Sequence, residues 1–133
     1  MLTQQDYSVR WIAVAALMGL LAVALGAIAS HALAEAKAIS AIEKAALYQL
    51  IHTLALLFAL QLNGRAAQWS RWFFFIGIVL FCGSIELKYL FDLPGATVVA
   101  PTGGVCLMLG WVMLGIAGFR QRRTSETQNE VNP

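Results

Sequence analysis

Three stretches of this chain carry no Asp, Glu, Lys or Arg over lengths that few water-soluble helices sustain. They are Trp11–Ala34 (24 residues), Ala45–Gly64 (20 residues) and Leu93–Phe119 (27 residues). About 20 consecutive apolar residues carry an α-helix across the hydrocarbon core of a bilayer. Each stretch therefore predicts a membrane span. A fourth run, Trp72–Phe91, is also long enough, because Glu86 and Lys88 interrupt it only near its end. Lipid offers backbone N–H and C=O groups no partners, so the spans must be helices or the strands of a closed barrel. Barrel strands alternate every second residue, and no run here does. The expected fold class is all-α: a four-transmembrane-helix bundle with spans near residues 11–34, 45–64, 72–92 and 97–119.

Composition supports the same solvent. Of 133 residues, 59% are hydrophobic and 12% charged, against about 25% charged in soluble domains. The length fits one domain over residues 1–123, followed by a polar tail, 124–133, expected to be disordered. The residues up to Asp6 are expected to fray as well. A net charge of +2 gives no general attraction to nucleic acid. Ala27-Ile28-Ala29 resembles a small-x-small cleavage site, but its apolar run exceeds the roughly 7–15 residues of a signal h-region. A retained first span is expected.

Between the first two spans, Glu35–Ala46 is rich in alanine. Ile39, Ile42 and Ala46 recur at helical spacing, with Lys37 and Lys44 on the other side. A short amphipathic helix lying in the interface or a helical extension of the second span both fit this pattern. Four spans put both termini on one side. That side holds Arg10, Arg65, Arg71, Arg120, Arg122 and Arg123, and the other holds Lys37, Lys44 and Lys88. The positive-inside rule then predicts cytoplasmic termini. Trp11, Trp69 and Trp72 would line the cytoplasmic interface, Tyr48 and Tyr89 would mark the other, and mid-span Trp111 would pack against a helix.

Helices in lipid associate through close backbone approach, which small residues permit. Ala15, Gly19, Ala22, Gly26 and Ser30 form such a stripe on span one. Gly77, Gly83 and Ser84 on span three, and Gly103, Gly104, Gly110 and Gly115 on span four, supply others. These stripes are expected to face inward, or in one case a second copy of the chain. Polar residues inside lipid are costly and usually face the bundle interior. His31, Tyr48, Gln49, His52, Ser84, Glu86 and Thr102 fall on four spans, and their spacing predicts one polar cluster in the outer leaflet. His52 is expected to be hydrogen-bonded without a metal, with Tyr48 one turn away on its own helix and Ser84 or Thr102 across the bundle as the partners of its two nitrogens. Cys82 and Cys106 lie in apolar runs without metal-binding spacing and read as small core residues.

Four strings carry a family resemblance: ALGAIASHAL (Ala24–Leu33), YQLIHTLAL (Tyr48–Leu56), FCGSIE (Phe81–Glu86) and PTGGVCLMLGW (Pro101–Trp111). In this order they resemble the motifs of the domain-of-unknown-function 423 family, which includes bacterial YgdD-like proteins and a human mitochondrial transmembrane protein. Cys82 stands where that family usually has serine, and Glu86 where tyrosine is common. The resemblance implies a four-helix membrane protein, in the inner membrane for the bacterial branch. It implies no reaction. The matching motif residues are His31, Tyr48, Gln49, His52, Gly83, Ser84, Pro101, Gly103 and Gly104.

The leading functional expectation is a non-enzymatic accessory, assembly or structural membrane module. Its partners would be the lipid bilayer and a larger membrane complex or further copies of itself, without nucleic acid or cofactor. The loops leave no room for a soluble catalytic domain, and no nucleophile–base pair is legible. The alternatives are a small proton-coupled transporter or channel using Glu86, and a metal or haem site using His31 and His52.

Overall fold

The computed structural model describes the backbone of residues 4–131 and the side chains of residues 7–123. It consists of four long helices: α1 (Gln4–Ala32), α2 (Ala36–Ala59), α3 (Arg65–Phe91) and α4 (Ala100–Val131), with a 3-10 turn at Pro94–Val99 before α4. All four are long and apolar enough to cross a membrane, with mean hydropathy between 1.2 and 2.6 over their most apolar windows. The protein is a four-helix membrane bundle.

Chain reversals follow local chemistry. Gly64 precedes α3 with φ +95°, a backbone conformation that L side chains rarely adopt. Asp92 ends α3 in the left-handed region at φ 53°, where Asp is among the better-tolerated residues. The N–H of Leu93 then closes the helix on the carbonyl of Leu87 at 3.3 Å. Pro101 falls in the first turn of α4, where its missing N–H removes no helix bond.

One segment takes the second of its two expected forms, a helical extension of the second span, and one boundary differs from expectation. Glu35–Ala46 forms no separate interfacial helix, because α2 runs unbroken from Ala36. Nothing in AKAISAIEKAA breaks a helix, and Ala38, Ile42, Ala45 and Ala46 are buried in the bundle, so the segment is held by packing. The segment after Arg123 continues α4 to Val131 where a disordered tail was expected. No Gly or Pro falls between Phe119 and Val131, and extending an existing helix is much easier than nucleating one. The side chains of 124–133 lie outside the described residues, as do those of 1–6. At the other end, helix α1 already begins at Gln4.

The main contacts run α1–α2, α2–α3 and α3–α4. The α2–α3 loop meets the C-terminal third of α4, since Asn63 N–H donates to Gln121 Oε1 at 3.1 Å. One end of the bundle therefore carries most of the arginines and the other the lysines. Buried positions share one rhythm. On α1 they are Trp11, Ala15, Met18, Ala22, Leu25 and Ala29; on α4, Gly103, Leu107, Gly110, Leu114 and Ala117. Steps of four and three residues are the seam of coiled-coil-like packing. The remaining faces of α1 and α4 present large apolar side chains outward, including Leu20, Val23, Met108 and Val112, as a lipid solvent requires.

Candidate functional site

The polar side chains form no single cluster at one depth. His31 is exposed in the last turn of α1. His52 lies 16 positions into α2, which begins at Ala36, or roughly 24 Å from that end at 1.5 Å per residue. Because α2 starts nine residues earlier than the uncharged run suggests, His52 lies more than four turns along the helix from the end near His31. Among the described residues, no group of three or more His, Cys, Asp or Glu could hold a metal ion.

What surrounds His52 is aromatic. Its ring is stacked with Tyr48 at 5.8 Å and meets Phe74 at 5.9 Å and Trp111 at 6.1 Å. Helices α2, α3 and α4 thus converge on the imidazole. Its Nδ1 donates to the backbone carbonyl of Tyr48 at 2.6 Å. A carbonyl only accepts, so Nδ1 carries the proton and Nε2 is left as the acceptor. Tyr48 is thus a partner as expected, through its backbone carbonyl, whereas the expected bond across the bundle to Ser84 or Thr102 is not made. Ser84, though buried, donates back to Phe81 O at 2.9 Å, and Thr102 is exposed. Short hydroxyl side chains in a helix reach the preceding turn's carbonyls, and in lipid that bond is always at hand.

Two polar side chains do tie helices together. Gln49, buried, donates through Nε2 to Met18 O on α1 at 2.8 Å. Ser70, fully buried, donates to Gly110 O on α4 at 2.9 Å. Ser70 was missed in the sequence, although Ser70, Gly77 and Ser84 stand at seven-residue spacing and would have extended the small-residue stripe by two turns. Arg71 lies at the end that holds the N-terminus, where its charge was counted, but not in the open. It is buried in α3 with its guanidinium 5.5 Å from the Tyr7 ring centroid, close enough for a cation–π contact. Trp11, expected in the interface belt, is buried against Trp72 and Phe75 at 5.0 and 5.9 Å, while Trp69 and Trp72 are exposed as the belt requires. Glu86 is half-buried, and its Oε1 is enclosed without a hydrogen-bond partner.

The glycines divide sharply. A Cβ on Gly103 would strike the backbone of α3 at Phe81 N and, at 2.8 Å, Leu80 C. One on Gly110 would lie 2.6 Å from the Phe74 ring, and one on Gly77 would lie 2.9 Å from Leu107 N. Gly104 has ordinary contact with Phe81 at 3.8 Å. Around Gly19, Gly26, Gly83 and Gly115 a Cβ would meet nothing within 4 Å, so these are not close-packing positions. On α1 the reason is volume. The facing part of α2 offers Ala38, Ala45 and Ala46, so α1 must fill the seam with Met18 and Leu25, and its glycines rotate to the flank.

With this geometry in hand, comparison with known proteins decides the family. The DUF423 profile, described as a protein of unknown function, matches residues 25–104. The chain belongs to the DUF423 family. A UPF0382 membrane protein of Staphylococcus aureus is 35% identical over 116 residues, covering 83% of this chain and 95% of the relative. One from Haemophilus influenzae is 36% identical over 121 residues, covering 85% and 96%. The inner membrane protein YgdD of Escherichia coli K12 is 36% identical over 118 residues, covering 82% and 88%. No solved structure matches. The matched segment of this DUF423 chain holds α2, α3, His52 with Tyr48 and Phe74 beside it, and Gly103, while Trp111 lies beyond it.

Proposed function

We propose that this DUF423 protein is a non-enzymatic accessory, assembly or structural module of a bacterial inner membrane, with both termini cytoplasmic. The inner membrane follows the name of the Escherichia coli relative. The orientation follows the arginines gathered at the end that holds both termini. The observation that carries the role is how the buried polar side chains are employed. Of the six buried polar side chains among the described residues, Gln49 and Ser70 tie helices together through backbone carbonyls and His52 and Ser84 bond carbonyls of their own helices, while Thr53 Oγ1 and Arg71 Nε have no hydrogen-bond partner; four of the six thus serve the bundle itself. The outward faces of α1 and α4 are free to meet a membrane partner. Affinity purification in mild detergent from native membranes tests this. A stoichiometric integral membrane protein should co-purify, and should cross-link to cysteines placed on α1 or α4. A protein that runs alone, with no cross-linked neighbour in native membranes, would overturn the reading.

A second reading, a small proton-coupled transporter, is favoured by one observation: the enclosed, unpartnered Oε1 of Glu86. Such a group in a span is a candidate proton carrier. Proteoliposomes would then conduct protons or take up a substrate with them, and Glu86→Gln would abolish the flux. Equal flux with and without the protein removes this reading.

A further inference from the structure

At the lysine-rich end of the bundle, residues of α2 and α3 with Thr97 of the 3-10 turn line an open cleft of about 560 Å³. Its rim carries three cations: Lys37 and Lys44 from the first half of α2, and Lys88 from the last turn of α3. All three of the non-arginine cations of the chain line this one space. Among the described residues no Asp or Glu lines it. Below the rim the lining turns aromatic. Tyr48 stands one turn deeper than Lys44 on the same face of α2, and Phe81 stands seven residues before Lys88 on the same face of α3, roughly 10 Å further into the membrane. The Tyr48 and Phe81 rings meet at 5.5 Å and floor the cleft.

We propose that this cleft is a binding site for an anionic phospholipid, with the phosphate at the three lysines and the acyl chain along Tyr48 and Phe81. The site is separate from the accessory role and stands whether or not the protein joins a complex. Three like charges around one space repel unless an anion shares it. Lys37 and Lys44 are in place because α2 continues past the span as one helix: seven residues apart, they share a face and point to the same cleft. Basic pockets between transmembrane helices suit acidic lipid headgroups. The two-zone lining favours a lipid over a free phosphate. Phosphate ions need only the rim, whereas an amphiphile also covers the aromatic floor, which faces the hydrocarbon. Thr97, at the mouth, donates its hydroxyl to Pro94 O at 3.3 Å, which leaves its oxygen to accept from a headgroup hydroxyl.

The test uses the full-length protein, delipidated in detergent and titrated in native mass spectrometry. Phosphatidylglycerol is compared with phosphatidylcholine of the same acyl chains and with glycerol 1-phosphate. Phosphatidylglycerol should bind at least tenfold more tightly than either. Each of Lys37→Gln, Lys44→Gln and Lys88→Gln should weaken it about fivefold, the effect of one cation near an anionic headgroup. The triple glutamine variant should lose the preference over phosphatidylcholine, and the triple arginine variant should keep it. Should the triple glutamine variant fail to fold, the single variants decide, since these side chains are exposed or half-exposed. An undiminished preference in the glutamine variants overturns the site. Equal affinity for glycerol 1-phosphate overturns the lipid as its occupant.

Discussion

The α3–α4 seam and the α1–α2 seam are built from similar residues and work differently. In the first, glycine makes room for a neighbour: Gly103 lies against the backbone of α3, Gly110 receives the Phe74 ring, and Gly77 receives Leu107. In the second, alanine on one helix faces larger side chains on the other, as where Leu25 and Ala29 meet Ile42 and Ala46. Gly19 and Gly26 of α1 stand aside with open space. Glycine in a membrane helix is therefore not by itself a mark of close approach. What matters is whether it falls on the seam, and the facing helix settles that by the volume it leaves unfilled.

The sharpest way to break this contrast is a single series of unfolding measurements in detergent. Gly103→Ala should be the most damaging, by about 3 kcal/mol, the upper end of overpacking costs, because the group it strikes is backbone and cannot rotate away. Leu25→Ala should follow at about 1–2 kcal/mol, less than in a soluble core because lipid supplies no hydrophobic drive and only packing is lost. Gly26→Ala should change stability by less than about 0.5 kcal/mol in either direction. Equal losses at Gly103 and Gly26 would erase the distinction between the seams.

A smaller effect separates bonds that cross helices from bonds that stay within one. Ser70→Ala removes a bond from α3 to α4 and should cost about 0.6–1.7 kcal/mol, the range of interhelical hydrogen bonds in membranes. His52→Phe keeps a ring among Tyr48, Phe74 and Trp111 while losing a bond inside α2, so it should cost less than Ser70→Ala. If His52→Phe proves the more damaging, the imidazole does something that its carbonyl bond does not account for. Any ligand at His52 would then be sought at Nε2.

Local chemistry along the chain was enough to establish the solvent, the number of helices and the family. Charge-free runs of 20 or more residues leave few alternatives in lipid, and the strings around His31, Tyr48 and Gly103 hold their order over most of the chain. The bond partners of the polar residues were not legible. Gln49 was one of seven residues placed in the polar cluster, and nothing in its neighbours points to Met18 O. Ser84 and His52 turned to carbonyls of their own helix because those are nearest, and sequence spacing does not weigh a local acceptor against a distant one.

Which face of each helix points inward was decided only by tertiary structure. In a soluble helix, polar residues mark the outside. Here α1 is apolar all round, so the inward seam through Trp11, Ala15, Met18, Ala22, Leu25 and Ala29 has no contrast with the lipid-facing surface. The same holds for the distance of His52 from the end of its helix, since packing of Ala38 and Ile42 carries α2 beyond its uncharged run. The residues alone determine that these helices are in the membrane, because lipid reads average polarity. Their rotation and register were left to the fit of neighbouring surfaces, which depends on the shape and volume of side chains brought together from all four helices.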